Sequence, residues 1–302
     1  MTAAPPQSFQ IFAPAKINLF LHITGKRSDG LHSLDSLITF ADIGDVISIS
    51  PMDGFSFDIN GPMAGSFDEA DKSARPDSKN LVVRAVWALA RMTNRTPSFS
   101  ITLGKNLPLG AGIGGGSADA AAALWGLCRY WKIAHDQSML MDLLMKLGAD
   151  VPVCFESQTR FVAGAGENLS APVRIPETHA VLIYPNIHCS TKGIFEHYRS
   201  SFNVPAERPA GFKDQDSFIA YLKKTQNELM PAAVRAAPDI RNALMQLEGS
   251  DGCRMARMSG SGSTCFGLYD TQEQAEKARE TIKETNPDWW VRSTVLGRTE
   301  RY

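Results

Sequence analysis

Hydrophobic positions near the start of the chain follow a period of two. Apolar side chains occupy every second position from Ile17 to Ile23, a pattern typical of a strand with one buried face. We therefore predict a strand here, with Lys16 at its entrance. Two apolar runs rich in β-branched residues, 37–40 and 46–49, predict two further strands of the same sheet.

Helical spacing of apolar residues appears in three later segments. Asn80 stands where a helix N-cap is expected, and the apolar residues after it recur on one helical face. A second helix is predicted up to Trp131 and a third over 140–147, which Gly148 would end. Residues 61–79 are rich in Gly, Pro, Ser and Asp without periodicity and predict a surface loop.

The last part of the chain predicts an orderly α/β unit. A glycine-serine loop at 258–264 is followed by a strand-like run, a helix that begins with the capping-box residues Thr271 and Gln274, and a final strand-like run at 289–296. Loop, strand, helix and strand form half of a split βαβ unit, which indicates a ferredoxin-like α/β sandwich. The polar, turn-rich stretch 164–176 separates this unit from the first sheet.

A glycine-rich segment lies between a strand predicted at 99–103 and the second helix. Five of the seven residues from Gly110 to Gly116 are glycine. Residues without a Cβ adopt positive φ and let backbone N–H groups converge on an anion. The helix adds unpaired N–H donors and the positive end of its dipole, so a phosphate site is predicted. Ser117 stands in the first turn, where its hydroxyl could contact a phosphate oxygen or a metal, or cap the helix.

Two common nucleotide-binding motifs fit this segment poorly. No Gly-Lys-Ser/Thr closes the loop, so it is not a Walker A motif. Gly110-x-Gly112-x-x-Gly115 formally matches the dinucleotide fingerprint, but that unit needs a second strand ending in an acidic residue after the helix. Another helical pattern follows instead. An NAD-binding oxidoreductase therefore stays a minor alternative.

Composition narrows the class of protein. A length of 302 residues suggests two domains. Lys and Arg total 31 and Asp and Glu total 32, a net charge of −1, which argues against a general nucleic-acid binder. No apolar stretch is long enough to span a membrane. The five scattered cysteines and the lack of a leader at residues 1–7 predict a reducing, cytoplasmic setting.

Three motifs in a fixed order resemble those of the GHMP kinases. They are Pro14-Ala-Lys-Ile-Asn-Leu19, the segment Pro108-x-x-x-Gly112-x-Gly-Gly-Gly-Ser117-Ala118-Asp-Ala-Ala, and the 258–264 loop. The resemblance covers nearly the whole chain. It implies an α+β, two-domain GHMP kinase fold, with a ribosomal S5 domain 2-like domain at 1–165 and a ferredoxin-like α/β sandwich at 166–302.

Two further segments narrow the resemblance to one branch of this family. Arg27-Ser-Asp-Gly-Leu-His-Ser-Leu34 and Gly148-Ala-Asp-Val-Pro-Val153 are similar to segments of kinases that phosphorylate a cytidine diphosphate sugar-alcohol in the non-mevalonate isoprenoid pathway. The resemblance implies ATP as co-substrate, Mg²⁺, small-molecule partners only, and a monomer or weak homodimer. A homoserine or mevalonate type of kinase, or a catalytically silent nucleotide-binding regulator, remains as an alternative.

The resemblance assigns the catalytic roles to Asp150 and Lys16. Asp150 would accept the hydroxyl proton as the alcohol attacks, and a lysine beside a carboxylate favours its ionised form. Lys16 would orient this carboxylate and the acceptor hydroxyl. The alternatives are an aspartate that closes a turn and a solvated lysine at a strand entrance.

ATP binding is predicted for the loop backbone and for the start of the first helix. Asn80 and Leu81 would contact the adenine, with helix capping as the alternative role of Asn80. Ser117 is the one metal ligand that we predict. The loop residues predicted to bind ATP are Pro108, Leu109, Gly110, Ala111, Gly112, Ile113, Gly114, Gly115, Gly116, Ser117 and Ala118.

Acceptor binding is predicted for five residues, Asn18, His32, Phe195, Ser261 and Gly262. Asn18 lies two positions after Lys16 and would face the same side of the strand. By resemblance His32 recognises the cytosine ring. Phe195 would cover one face of that ring, opposite the residue at position 31, or is a core residue instead. Leu31 stands where the resembled kinases usually have tyrosine, so an aromatic stack is missing there.

Overall fold

The computed structural model describes residues 7–133 and 137–298. The segment on which the absence of a leader is predicted lies, apart from Gln7, outside these residues. Among the described residues, no helix is long and apolar enough to cross a membrane.

The first domain is organised around one long strand. Strand β2 (His32–Pro51) pairs antiparallel with β1 (Phe9–Lys26) along its whole length. On its other side β2 pairs with β4 (Phe99–Gly104) and β5 (Arg160–Gly164). Strand β3 (Phe55–Asn60) runs parallel to β4, and β6 (Asn168–Pro172) extends the sheet beyond β5.

Two strand predictions for this sheet need correction. The runs at 37–40 and 46–49 belong to the single strand β2, because the chain continues in extended form through Gly44. A Cβ on Gly44 would lie 2.2 Å from the carbonyl oxygen of Ala13 on β1, so only glycine permits this close pairing. Lys16 is not at a strand entrance either: it lies in the interior of β1 and is buried.

Four helices accompany this sheet: α1 (Leu81–Thr93), α2 (Gly115–Tyr130), α3 (Gln137–Leu147) and α4 (Val151–Glu156). The side chain of Asn80 caps α1 by accepting the Val82 N–H at 2.9 Å, as predicted. Helix α2 has Gly114 at its N-cap position, so Ser117 is not the cap. The apolar faces of α1 and α2 and one face of the sheet form a continuous core.

The second domain has the predicted ferredoxin-like arrangement. Its strands are β7 (Thr178–Tyr184), β8 (Cys253–Met258), β9 (Cys265–Tyr269) and β10 (Trp290–Leu296). They lie in the order β10-β7-β9-β8 with antiparallel neighbours. Strands β9 and β10 are thus parallel with β7 between them, which is a split βαβ unit around α9 (Gln272–Thr285). The other helices are α5 (Thr191–Glu196), α6 (Gln215–Lys223), α7 (Met230–Ala236) and α8 (Asp239–Glu248).

The two domains meet through their sheets and loops. Leu296 of β10 pairs with Ala41 of β2. Strand β6 lies beyond the boundary predicted after residue 165, yet it pairs with β5 of the first sheet. We therefore propose that the boundary falls at 173–177, between β6 and β7.

Candidate active site

A cavity of about 590 Å³ lies between the domains. It is lined by residues from β1, the glycine-rich loop, the start of α1 and the second domain. The predicted site residues that line it are Lys16, Asn18, Asn80, Leu81, residues 108–117, Asp150, Phe195 and Ser261. Residues that are far apart in the sequence are thus brought to one cleft.

Lys16 and Asp150 form an ion pair in the wall of this cavity. Lys16 Nζ lies 3.0 Å from Asp150 Oδ2, and the side chains are 5% and 43% exposed. Asp150 occupies the N-cap position of α4 but makes no side-chain capping bond. Its carboxylate is therefore held by the lysine rather than by a turn, and it is open to the cleft.

Asn18 fixes the position of the lysine. Its Oδ1 accepts a hydrogen bond from Lys16 Nζ at 2.8 Å, and its Nδ2 donates to Ser36 Oγ at 2.8 Å. Its backbone N–H donates to Ser259 Oγ of the second domain at 3.0 Å. Because these bonds come from both domains, the ammonium group is oriented by the domain junction as well as by β1.

The glycine-rich loop is held by its carbonyl groups. Gly110, Gly112 and Gly114 have φ values of 65°, 77° and 66°, a region that favours glycine. Four loop carbonyl oxygens accept hydrogen bonds from outside the loop: Leu109 from Tyr184 Oη (3.4 Å), Gly110 from His188 Nδ1 (3.3 Å), Ala111 from Thr264 N (3.0 Å) and Ile113 from Lys16 N (2.9 Å).

The backbone N–H groups of the same loop have no such partners. In the described part of the chain, none of the N–H groups from Leu109 to Ser117 makes a hydrogen bond of good distance and angle to a protein acceptor. The last three of these residues form the first turn of α2, where N–H groups have no intrahelical acceptor. Unpaired donors at a helix N-terminus form an anion site, so the geometry suits a polyphosphate.

The second glycine loop, 258–264, packs against the first. A Cβ on Gly112 would lie 2.2 Å from the carbonyl oxygen of Gly262, and one on Gly260 would lie 3.1 Å from Asn18 Oδ1. Ser261 Oγ is 2.9 Å from Thr191 Oγ1. Ser261 lines the cavity, whereas Gly262 does not, because its carbonyl group is turned onto the first loop. The structure therefore places Gly262 in the contact between loops and not at the predicted acceptor site.

This contact gives a first prediction, for Gly112→Ala. The new Cβ would collide with the second loop at a positive φ, so we expect a loss of stability of about 1–3 kcal/mol and weaker ATP binding. Thermal unfolding and calorimetric ATP titration measure the two effects. Gly65→Ala is a matched control, since nothing lies within 4 Å of its Cβ position. Unchanged ATP affinity in Gly112→Ala would contradict the packing argument.

His32 and Phe195, two of the residues predicted to bind the acceptor, lie against each other. Their rings are stacked with centroids 5.3 Å apart and planes at 25°, which leaves no room for a base between them. Burial, and after it the charge of Lys26, lowers the pKa of His32. The neutral ring then offers one donor and one acceptor. Leu31 is 55% exposed at the tip of the same hairpin.

Three charged residues at the site were not found from the sequence. Lys105, Asp45 and Asp119 form a buried cluster beneath the glycine-rich loop, and Lys105 and Asp119 line the cavity. Burial raises the pKa of Asp119 to about 8, against the opposing charge of Lys105. Asp119 lies in the glycine-rich motif, but no motif links it to Lys105 and Asp45, so only the fold brings the three residues together.

The donor set for a metal ion is small. Among residues 7–133 and 137–298, no group of three or more His, Cys, Asp or Glu side chains could hold a metal. Ser117 faces the cavity at the first turn of α2. These residues fit a cation that arrives on a polyphosphate and contacts the protein through one hydroxyl.

Comparisons with known proteins agree with this fold. The family described as "GHMP kinases N terminal domain" matches residues 80–158, and "GHMP kinases C terminal" matches residues 210–288. A homoserine kinase from Cytophaga hutchinsonii shares the fold with a TM-score of 0.69 and 18% identity, covering 100% of this chain and 99% of its own. The fold and the glycine-rich loop thus define a kinase of the GHMP class.

Relatives of higher identity narrow the class. The "4-diphosphocytidyl-2-C-methyl-D-erythritol kinase" of Roseobacter denitrificans is 41% identical over 98% of this chain and 96% of its own, and that of Paramagnetospirillum magneticum is 39% identical over 96% and 99%. A crystal structure of 4-(cytidine 5'-diphospho)-2C-methyl-D-erythritol kinase matches with a TM-score of 0.77 and 27% identity, covering 96% of this chain and 100% of that one.

The chain belongs to the GHMP kinases, in the family of the 4-diphosphocytidyl-2-C-methyl-D-erythritol kinases. It is a small-molecule kinase with ATP as co-substrate, as the motifs predicted. The alternatives of an NAD-binding oxidoreductase and of a homoserine or mevalonate type of kinase are not supported.

Proposed function

We propose that the enzyme transfers the γ-phosphoryl group of ATP to the 2-hydroxyl of 4-diphosphocytidyl-2-C-methyl-D-erythritol, the compound in the names of its relatives. The observation that carries the proposal is the Lys16–Asp150 pair, which lines the same cavity as the glycine-rich loop. A hydroxyl placed between them would lie beside a carboxylate on one side and a bound phosphate on the other.

Asp150 acts as the general base in this proposal. Its carboxylate accepts the proton as the hydroxyl oxygen forms a bond to the γ-phosphorus, and the bond from the γ-phosphorus to the bridging oxygen of ADP breaks. Lys16 holds the carboxylate at 3.0 Å and adds positive charge near the transferring oxygens. Asn18 keeps the lysine in place through the bond to its ammonium group.

The glycine-rich loop binds the phosphates of ATP. Its free N–H groups and the α2 dipole supply positive potential without formal charge, which agrees with the chain's net charge of −1. Mg²⁺ would be bound by the ATP phosphates and by Ser117 Oγ, and it supplies charge neutralisation there. Asn80 caps α1 through its side chain, so any adenine contact comes from the atoms of Asn80 and Leu81 that this bond leaves free.

The acceptor lies toward the hairpin between β1 and β2. His32 covers one face of Phe195, so the cytosine ring can stack only on the face that Phe195 turns to the cavity. Leu31 supplies apolar contact in place of a second aromatic ring. Ser261, held by Thr191, borders the same end of the cavity.

His32→Ala gives a second prediction. Loss of the stacked, neutral imidazole removes a hydrogen-bonding group from the cytosine site, so the acceptor KM rises about tenfold. The KM for ATP and the melting temperature stay close to wild type. Steady-state kinetics with each substrate varied in turn measure this split. His197→Ala, an exposed histidine beyond the end of α5, is the control, and an equal rise in both KM values would contradict the assignment.

An ADP-release assay with three acceptors tests the function itself. We expect release with 4-diphosphocytidyl-2-C-methyl-D-erythritol and only background release with homoserine or mevalonate. Phosphorus NMR of the product identifies the phosphorylated hydroxyl. Release with homoserine or mevalonate alone would overturn the proposed substrate but not the kinase class.

A further inference from the structure

Lys105 is a buried cation at the end of β4, directly before the glycine-rich loop. It is 2% exposed. Its Nζ donates to Asp45 Oδ2 at 2.5 Å and to Asp119 Oδ2 at 2.7 Å. A single ammonium group therefore links three elements: β4, β2 through Asp45, and α2 through Asp119.

The cluster contacts both ends of the glycine-rich loop. At the first end, Asp45 Oδ1 accepts the backbone N–H groups of Asn106 at 2.6 Å and Leu107 at 2.8 Å. At the other end, Lys105 Nζ lies 3.1 Å from the position of a Cβ on Gly115. The ammonium group thus packs directly beneath the first turn of α2, where the unpaired N–H groups are.

Between these ends the loop is held only by hydrogen bonds to its carbonyl groups and by its contact with the second glycine loop. Five of its residues from 110 to 116 are glycine, so side-chain packing contributes little. Glycine also loses more conformational freedom than other residues when it is fixed. An arrangement that binds both ends reduces the number of loop conformations before ATP arrives, which lowers the entropy that binding must remove.

A contribution to the stability of the fold does not by itself explain why a buried charge cluster is present. Replacing buried ionic triads by apolar residues is often neutral or stabilising, because desolvation offsets the attraction. In this protein the cluster contacts the ends of one loop, and two of its members, Lys105 and Asp119, line the cavity. Its location favours a role in the geometry of that loop.

We propose that Lys105 is a positioning residue for the phosphates of ATP: held by Asp45 and Asp119, it fixes both ends of the glycine-rich loop so that the N–H groups from Gly115 to Ser117 point to one anion. The proposal rests on the proposed function in that ATP is taken as the ligand of this loop.

Lys105→Arg is the decisive variant. A guanidinium keeps the positive charge and can still bond both carboxylates, so the fold is retained. Its larger planar head does not fit the space of a lysine that is 2% exposed and whose ammonium group lies 2.5 and 2.7 Å from two carboxylates, and it displaces the first turn of α2. We expect the calorimetric Kd for Mg·ATP to rise at least about tenfold. The Kd for the acceptor should stay within about twofold of the wild-type value. The melting temperature should stay within a few degrees of wild type.

Lys105→Met and Asp35→Asn complete the comparison. Lys105→Met removes the link between the loop ends and should weaken ATP binding further. Asp35→Asn removes a buried carboxylate that binds Arg208 at 2.6 Å, outside the cavity, and should leave ATP binding unchanged even if stability falls. The same thermal and calorimetric measurements apply to every variant.

Each outcome is decisive. ATP binding by Lys105→Arg at wild-type strength would overturn the proposal, because any positive charge at position 105 would then be enough and the shape of the side chain would not matter. Equal losses of ATP and acceptor binding would overturn it as well, since they indicate general damage. If the wild-type protein itself does not bind ATP, the proposed function fails, and that result is visible before any variant is made.

Discussion

Asp150→Asn is expected to lower kcat by about 10²–10⁴-fold, the range that a positioned general base contributes. Asparagine keeps the size of the side chain and can still accept a hydrogen bond from Lys16. In the wild-type protein Lys16 Nζ lies 3.0 Å from Asp150 Oδ2. Asparagine cannot take a proton from the acceptor hydroxyl. Binding of both substrates should therefore change little while the chemical step is slowed. Single-turnover kinetics and separate calorimetric titrations of each substrate distinguish these effects.

Asp142→Asn is the matched control for this experiment. Asp142 is an exposed carboxylate on α3 of the same domain, and it is not part of the cavity wall. Stability should be close to wild type in both variants, because the asparagine oxygen still accepts a hydrogen bond from Lys16, which also keeps its bond to Asn18 Oδ1. A fall in kcat of less than tenfold in Asp150→Asn would remove the general-base assignment.

The elements with regular periodicity could be predicted from the sequence. The alternation of apolar and polar residues from Ile17 to Ile23 predicted β1, and Asn80 predicted the start of α1. The continuity of β2 could not be predicted, because Asp42 and Asp45 interrupt its apolar pattern. Asp45 is fully buried. The free-energy cost of burying its carboxylate is offset by hydrogen bonds from Lys105 and from two N–H groups. Those partners lie about 60 positions away in the chain.

The candidate site could be predicted from the sequence where the backbone conformation requires a particular residue type. The glycine run predicted a loop with positive φ values, which Gly110, Gly112 and Gly114 have, since glycine is the residue that positive φ favours. Asp119 follows Ser117 in the same motif, but the sequence does not show whether a carboxylate on a helix is solvated or buried. The stack of His32 on Phe195 likewise depends on how the hairpin meets α5, a tertiary contact with no local signal.

Lys16→Met is expected to lower kcat by about 10²-fold or more, the loss typical of removing one electrostatic donor at a reacting centre. Methionine retains the apolar stem, which matters because Lys16 Cβ and Cε each lie 3.0 Å from the Cβ position of Gly114 in the loop. The variant therefore removes the charge and keeps the packing. Lys146→Met, at an exposed position on α3, controls for loss of a lysine. A loss of less than tenfold would show that Lys16 only supports the structure.

The double variant Lys16→Met/Asp150→Asn then decides whether the pair acts as one unit. If Lys16 works by orienting the Asp150 carboxylate, the lysine has nothing left to orient once that carboxylate is gone. The double variant should then be no slower than Asp150→Asn alone, a non-additivity typical of residues that act together. Multiplicative losses would mean instead that Lys16 acts on the transferring phosphoryl group independently of Asp150. The 3.0 Å contact and the bond from Lys16 to Asn18 favour the first result, because they direct two of the three ammonium protons at protein oxygens and one of these is the Asp150 carboxylate.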